Sequence, residues 1–167
     1  MNTPKLRFKG FMDEWEEFSL KEKVDILSGF AFSSSDFVPK GIPVITISSI
    51  NSFFIDTRKG KFVDNKIYEK NQKFSISKHA IVMTMTGSHF QQENSAVGKM
   101  ALNTSNEPML LNQRLISINE KSSLSNYLFI YYSLSRVGIR KLISRKSIGS
   151  ANQANIGIND VKNMSIY

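Results

Sequence analysis

Cysteine is absent from this chain of 167 residues, which excludes a disulfide scaffold, a thiol nucleophile and any zinc site built with cysteine. An intracellular chain is the natural expectation from that absence. No apolar run approaches the ~20 residues a membrane helix needs, and residues 1–9 lack the apolar stretch of a signal peptide. A soluble, cytoplasmic protein is expected. Histidine is scarce: His79 and His89 are the only two, and neither sits in an H-x-x-x-H spacing or beside a carboxylate at metal-ligand spacing. No metal site is expected. None of the nine glycines forms a G-x-G pair, which removes a dinucleotide-binding loop and the glycine-rich cofactor loop of a methyltransferase. Gly98-Lys99 has Glu93 where a P-loop needs its first glycine. Serine is plentiful, but no Gly-x-Ser-x-Gly elbow or partnered histidine activates a hydroxyl. Acidic residues thin out after Glu22, without the paired carboxylates that hold magnesium in a nuclease. The chain is not expected to be an enzyme.

What is present points to one globular domain spanning residues 1–167. Hydrophobic residues make up 41% and phenylalanine alone numbers 12, too many for a disordered tail. Lys and Arg total 22 against 14 Asp and Glu, a net charge of +8, and the excess is uneven. Residues 1–27 hold five basic and six acidic groups, residues 28–120 ten and seven, and residues 121–167 seven and one. A localised basic stretch is what binding to a phosphate backbone requires, because each neutralised phosphate releases counterions.

Ser19-Leu20-Lys21-Glu22 has the spacing of a capping box and predicts a short helical turn over residues 20–24. Trp15 just before it reads as a core or edge anchor. Short apolar runs broken by turn residues then predict strands over residues 26–32, 42–50, 80–86, 96–102 and 109–118. Five strands with no helix long enough for regular βαβ units argue for a mainly β core. After Ser122 the period changes: Leu124, Tyr127, Leu128, Tyr131, Leu134 and Val137 recur at spacings of three and four, which predicts an amphipathic helix over residues 125–145 with Ser123 or Ser125 as its cap. Its final turns hold Arg136, Arg140, Lys141, Arg145 and Lys146, more cations than the helix dipole needs.

Two amide-rich segments are candidates for reading bases. One holds Ser88, His89, Gln91, Gln92 and Asn94 between two predicted strands; the other runs from Ser147 to Gly157 and includes Asn152, Gln153 and Asn155. Asn and Gln can bond adenine in two places at once, and Ser serves several bases. The bland alternative for each is a solvated loop tip.

Pro4-Lys5-Leu6-Arg7-Phe8, Glu14-Trp15-Glu16, the stretch from Ser28 through Phe37 and Gly41-Ile42-Pro43-Val44-Ile45 together resemble the opening of a specificity (S) subunit of type I restriction-modification systems. Gly98-Lys99-Met100-Ala101, Leu111-Asn112-Gln113-Arg114-Leu115 and Gly149 through Asn155 leading to Ile158-Asn159-Asp160-Val161 are similar, in order and spacing, to the target recognition domain of that family. The resemblance implies an α/β (α+β) globule with a twisted, strand-rich core and loops that enter the major groove. It also implies a subunit that changes no bond itself. Two such domains, each reading half of a bipartite DNA sequence, are held apart by long helices that dock methyltransferase (M) subunits, with restriction (R) subunits completing the assembly. S-adenosylmethionine, ATP and magnesium would belong to those partners, so no cofactor is expected here. The chain ends at Met164-Ser165-Ile166-Tyr167, where the family continues into a spacer helix and a second domain. It is either one domain of a longer subunit or a natural truncation, and docking to methyltransferase subunits stays open.

The leading expectation is therefore a single target recognition domain binding one half-site of double-stranded DNA. Phosphate contacts are assigned to Lys99, Arg136, Arg140, Lys141, Arg145 and Lys146, and base readout to Ser88, His89, Gln91, Gln92, Asn152, Gln153 and Asn155. A rival from another class is a non-catalytic interaction module whose basic face meets an acidic partner. A third, RNA or single-strand binding, would want exposed aromatics for stacking; Phe53-Phe54 and the tyrosines are available, though the tyrosines suit helix burial.

Overall fold

The computed structural model describes residues 14, 16–87, 96–121, 126–150 and 153–166, and of Ser144, Ser150 and Gln153 the backbone alone. Trp15 lies outside the described residues. In chain order the first part comprises β1 (Phe18–Ser19), α1 (Leu20–Lys23), β2 (Val24–Ser28), β3 (Phe37–Val38), β4 (Ile42–Ile45), β5 (Ile50–Asn51), β6 (Phe54–Ile55), β7 (Lys61–Val63) and α2 (Asn65–Asn71). The second comprises β8 (Ile81–Thr84), β9 (Thr86–Gly87), β10 (Met100–Leu102), β11 (Leu110–Leu111), β12 (Leu115–Glu120), α3 (Tyr127–Ser135), α4 (Val137–Lys146), β13 (Ile148–Ser150), β14 (Gln153–Asn155), α5 (Ile158–Lys162) and β15 (Ser165–Ile166).

A six-stranded sheet in the order β2-β12-β8-β10-β6-β5 forms the centre. Successive side chains of a strand point to opposite faces, and here both faces are covered. Ile81 and Met83 of β8, Met100 and Leu102 of β10, and Ile116 and Ile118 of β12 join the core beneath α1, α3, α4 and α5. Val82, Ala101 and Leu115, the residues between or beside them, join a second core on the other face with Ile45, Met109 and Leu111. Double coverage explains why these strands read as unbroken apolar runs rather than alternating ones. A four-stranded sheet, β11-β4-β7-β3, lies against the second face, and a three-stranded one, β13-β14-β9, extends from the end of β8. The mixed, strand-rich architecture agrees with the sequence expectation.

Several boundaries differ from that expectation, each for a local reason. The run over 42–50 is no single strand: β4 stops at Ile45, where the Ser49 hydroxyl accepts a hydrogen bond from the Thr46 N–H at 3.2 Å and the chain turns, hydroxyls here competing with the ladder. Only residues 100–102 of the run over 96–102 are strand, because Gly98 takes a left-handed φ of +71° and the Lys99 N–H folds back to the Ala96 carbonyl at 3.0 Å. The run over 109–118 is likewise split into β11 and β12 by a turn at residues 112–114.

The largest correction concerns the C-terminal helix. Instead of one helix over 125–145, α3 ends at Ser135, Arg136 adopts extended angles (φ −59°, ψ 141°), and α4 starts afresh at Val137. On one continuous helix at ~100° per residue, Ile143 would point roughly opposite Leu134. Both are fully buried in the same core, which only an elbow between them permits. Val137, counted in the predicted stripe, is 64% exposed as a result. The helix is capped by Asn126, whose Oδ1 accepts from the Leu128 N–H at 2.8 Å; Ser123, Leu124 and Ser125 lie outside the described residues. The turn predicted at residues 20–24 is α1, with the Glu22 carboxylate accepting from the Ser19 N–H at 3.1 Å as the spacing required.

Candidate nucleic-acid interface

The strand that leads into the first amide-rich segment and the strand that closes the second are far apart in sequence and paired in the fold. β14 pairs antiparallel with β9, placing Ala154 opposite Gly87 and Asn155 opposite Thr86. Segment 88–95 leaves from Gly87 and re-enters at Ala96, and these ends touch: a Cβ on Gly87 would stand 2.5 Å from that of Ala96. Thr84 fastens the re-entry, its hydroxyl donating to the Ala96 carbonyl and accepting from the Lys99 N–H at 3.0 Å. The three-stranded sheet is tied to the core by the buried Ala154 and Ile156, the Ile156 N–H donating to the Met85 carbonyl at 3.0 Å.

Of the residues assigned to base readout, Ser88, His89, Gln91, Gln92 and Asn152 lie outside the described residues. Gln153 is placed by its backbone in β14, paired with Ser150, and Asn155 is exposed on the same strand. Both ends of segment 88–95 and the hairpin of β13 and β14 thus share one side of the domain.

The basic cluster reaches that side through α4, which runs directly into β13. Ile143 packs against Gly98, where an added Cβ would come within 3.0 Å of it, so the helix lies beside Gly98-Lys99. The cations divide by environment. Arg136, Lys141 and Arg145 are exposed, and Lys141 and Arg145 share a helix face at i, i+4. Lys146 has its Nζ 3.9 Å from Asp160 Oδ1 of α5, a pair that reduces its availability to an outside anion. Arg140 turns inward, and burial pulls the pKa of its guanidinium down. It shares a cleft of about 130 Å³ with Lys99, Ser52, Tyr131 and Ser135.

Ser52, Tyr131 and Ser135 were not singled out as site residues from the sequence. Ser52 sits in the turn between β5 and β6 with φ 41°, and the Tyr131 hydroxyl donates to its carbonyl at 2.6 Å. Burial raises the pKa of Tyr131, so the phenol stays protonated and keeps that bond. No local signal marks these residues, since sheet and helix packing alone bring them together. Tyr131 behaves as the helix-burial reading expected at 4% exposed, whereas Phe53, Phe54 and Tyr132 are exposed at 47%, 50% and 58%. Ser33, Ser34 and Ser35 form a turn closed by the Asp36 carboxylate, which accepts from the Ser33 N–H at 2.7 Å.

The Leu111-Asn112-Gln113-Arg114 element is structural. The Asn112 N–H bonds the Ile45 carbonyl at 3.1 Å, Gln113 N–H the Phe30 carbonyl at 3.0 Å, and Arg114 C=O accepts from Met85 N–H at 2.9 Å. Gly29 lies so close that a Cβ would stand 2.1 Å from the Asn112 oxygen; only glycine allows this crossing. Among the described residues no group of three or more His, Asp or Glu could hold a metal ion, and no helix is long and apolar enough to cross a membrane.

A family model described as the type I restriction modification DNA specificity domain matches residues 12–167. No curated protein matches the chain. Among solved structures, the S subunit of a type I restriction-modification system from M. genitalium is similar with a TM-score of 0.65 at 20% identity, over 98% of this chain and 36% of that one. The HsdS subunit from Thermoanaerobacter tengcongensis gives 0.61 at 17% identity over 98% and 34%. A chain from a structure concerning assembly and conformational transition of the type I system gives 0.63 at 16% identity over 98% and 35%. At these identities the likeness is one of fold. The chain spans about a third of the length of each of these solved chains.

Proposed function

The chain belongs to the type I restriction-modification DNA specificity domains, and from that premise we propose that it binds one half-site of double-stranded DNA as a single target recognition domain. The observation that supports this reading best is the pairing of β14 with β9, which joins the strand leading into one amide-rich segment to the strand that closes the other, on the side where the cationic helix α4 ends. In this reading Ser88, His89, Gln91, Gln92, Asn152, Gln153 and Asn155 read base edges from the major groove. Arg136, Lys141 and Arg145 neutralise phosphates from the exposed face, Lys99 and Arg140 from the cleft, and Lys146 contributes less because Asp160 already faces it. The domain makes and breaks no bond; methylation and cleavage reside in methyltransferase and restriction subunits that act on the site it selects. It works in the cytoplasm, where that DNA is.

The test is enrichment sequencing of a randomised duplex library bound to the purified chain at two salt concentrations. A short enriched motif that persists at the higher salt supports a half-site reader. Binding that shows no enrichment and vanishes with salt rejects it in favour of generic phosphate attraction, the behaviour also expected of a basic face built for an acidic partner.

A further inference from the structure

Within the basic set, Lys99 and Arg140 stand apart because both are half-buried and line one cleft. Their cleft lies among the β5–β6 turn, the Gly98-Lys99 turn and the elbow between α3 and α4. Its volume of about 130 Å³ is well below the ~300–1,000 Å³ of sites that bury whole organic ligands. No carboxylate is among the described residues that line it, while two cations and the residues Ser52 and Ser135 are. The walls are held. Tyr131 is bonded to the Ser52 carbonyl and met edge-on by Phe53 at 5.5 Å, Gly98 is pressed against Ile143, and the Lys99 backbone is clamped by Thr84.

We propose that this cleft is a seat for one phosphate group, with Arg140 and Lys99 supplying the charge and the Ser52 hydroxyl a further hydrogen bond, while Ser135 bonds Tyr131 and holds the wall. The inference rests on the half-site reading for its consequence: a phosphodiester held at the foot of segment 88–95 sets the register in which that segment meets the bases. Arg140 is suited to this role because its half-buried guanidinium lines the cleft beside Lys99, where a planar fork of N–H donors can hold a phosphate oxygen pair. The exposed Lys141 and Arg145 attract the duplex from solvent and hold no single phosphate in place.

Two experiments on the 167-residue chain test the seat. The first titrates inorganic phosphate while recording NMR shifts of the Gly98 and Lys99 amides and the Arg140 side-chain N–H. Saturable shifts there are expected, retained in a Lys141→Gln, Arg145→Gln double variant and lost in Lys99→Gln and Arg140→Gln. If Arg140→Gln fails to fold, Lys99→Gln suffices. The second replaces each phosphodiester of an enriched duplex in turn by neutral methylphosphonate. One linkage should lose about tenfold in affinity, and that loss should disappear in Lys99→Gln, whose reference binding is already weakened. Sequence-selective binding with losses spread evenly over linkages and no phosphate-induced shifts would overturn the seat and leave the half-site reading intact. Phosphate-induced shifts without selective duplex binding would keep the seat, as one for inorganic phosphate, and overturn the half-site reading. Silence in both would reject both.

Discussion

The six-stranded and three-stranded sheets use their residues in opposite ways. In the first, β8 is buried along its whole length and β12 over its first four residues, with apolar side chains filling both faces. In the second, Ile148 is 80% exposed and Asn155 faces solvent, while Ala154 is the buried anchor among the side chains described there. One sheet is held by area removed from water, the other by a few backbone hydrogen bonds to the end of β8 and by the helix that precedes it. The difference teaches that the three-stranded sheet, the part proposed to present residues to DNA, leans on the scaffold: among its described residues few are buried, so the others are open to solvent.

Breaking the scaffold should have the largest effect. Ile116→Ala, in the middle of β12, should lower unfolding free energy by about 2–5 kcal/mol, read by urea denaturation, and DNA binding should fall with the folded fraction. Loosening the turn where the chain re-enters beside β8 comes next. Thr84→Val removes the hydroxyl that joins Ala96 to Lys99 and should cost about 1–3 kcal/mol, with duplex affinity falling further than stability predicts. If affinity only tracks stability, the clamp has no role in presentation. Within the proposed DNA-reading set, the roles separate by their kind of loss. Gln92→Ala should cost about 1–3 kcal/mol at one base position, whereas Arg145→Ala should weaken all duplexes alike and lower the salt slope by about one, with the melting temperature unmoved. Equal loss of Gln92→Ala on every duplex would remove its readout role. The smallest effect lies in the scaffold's own electrostatics. Hydrogen bonds from Arg58, at 2.9 and 3.1 Å, hold the Asp56 carboxyl below the usual carboxylate range. A carboxylate whose folded pKa is depressed adds stability above its unfolded pKa and loses it as pH falls toward the folded one. Arg58→Ala should therefore reduce stability near neutrality and shrink the difference from wild type in strong acid.

Much of this plan is legible in the chain. The apolar runs around Val44, Val82, Ala101 and Ile116 marked strands because burial on both faces leaves no room for polar alternation. Ser19 and Glu22 marked a helix start because a capping box is satisfied within one turn. The elbow at Arg136 was missed although its cause was present: the apolar residues after Leu134 fall out of phase with those before it, and the spacing of Val137 hid the shift. The strand ends at Ile45 and Lys99 were missed because hydroxyl and glycine turns override an apolar pattern within a few residues.

The candidate site divides along the same line. Composition and the placing of cations after Arg136 determined by themselves that the last third of the chain is basic, and the motif order indicated the family, because charge and ordered local patterns need no folding to be read. Which cations face water and which line a common cleft was decided by tertiary structure alone. Arg140 and Lys141 are adjacent in sequence, yet one turns into the cleft with Lys99 and the other to solvent. That choice depends on Ile143 seating against Gly98, on the β5–β6 turn reaching Tyr131 and on β14 crossing to β9. Each is a contact between segments distant in the chain, whose formation depends on the packing of the whole core rather than on any local preference.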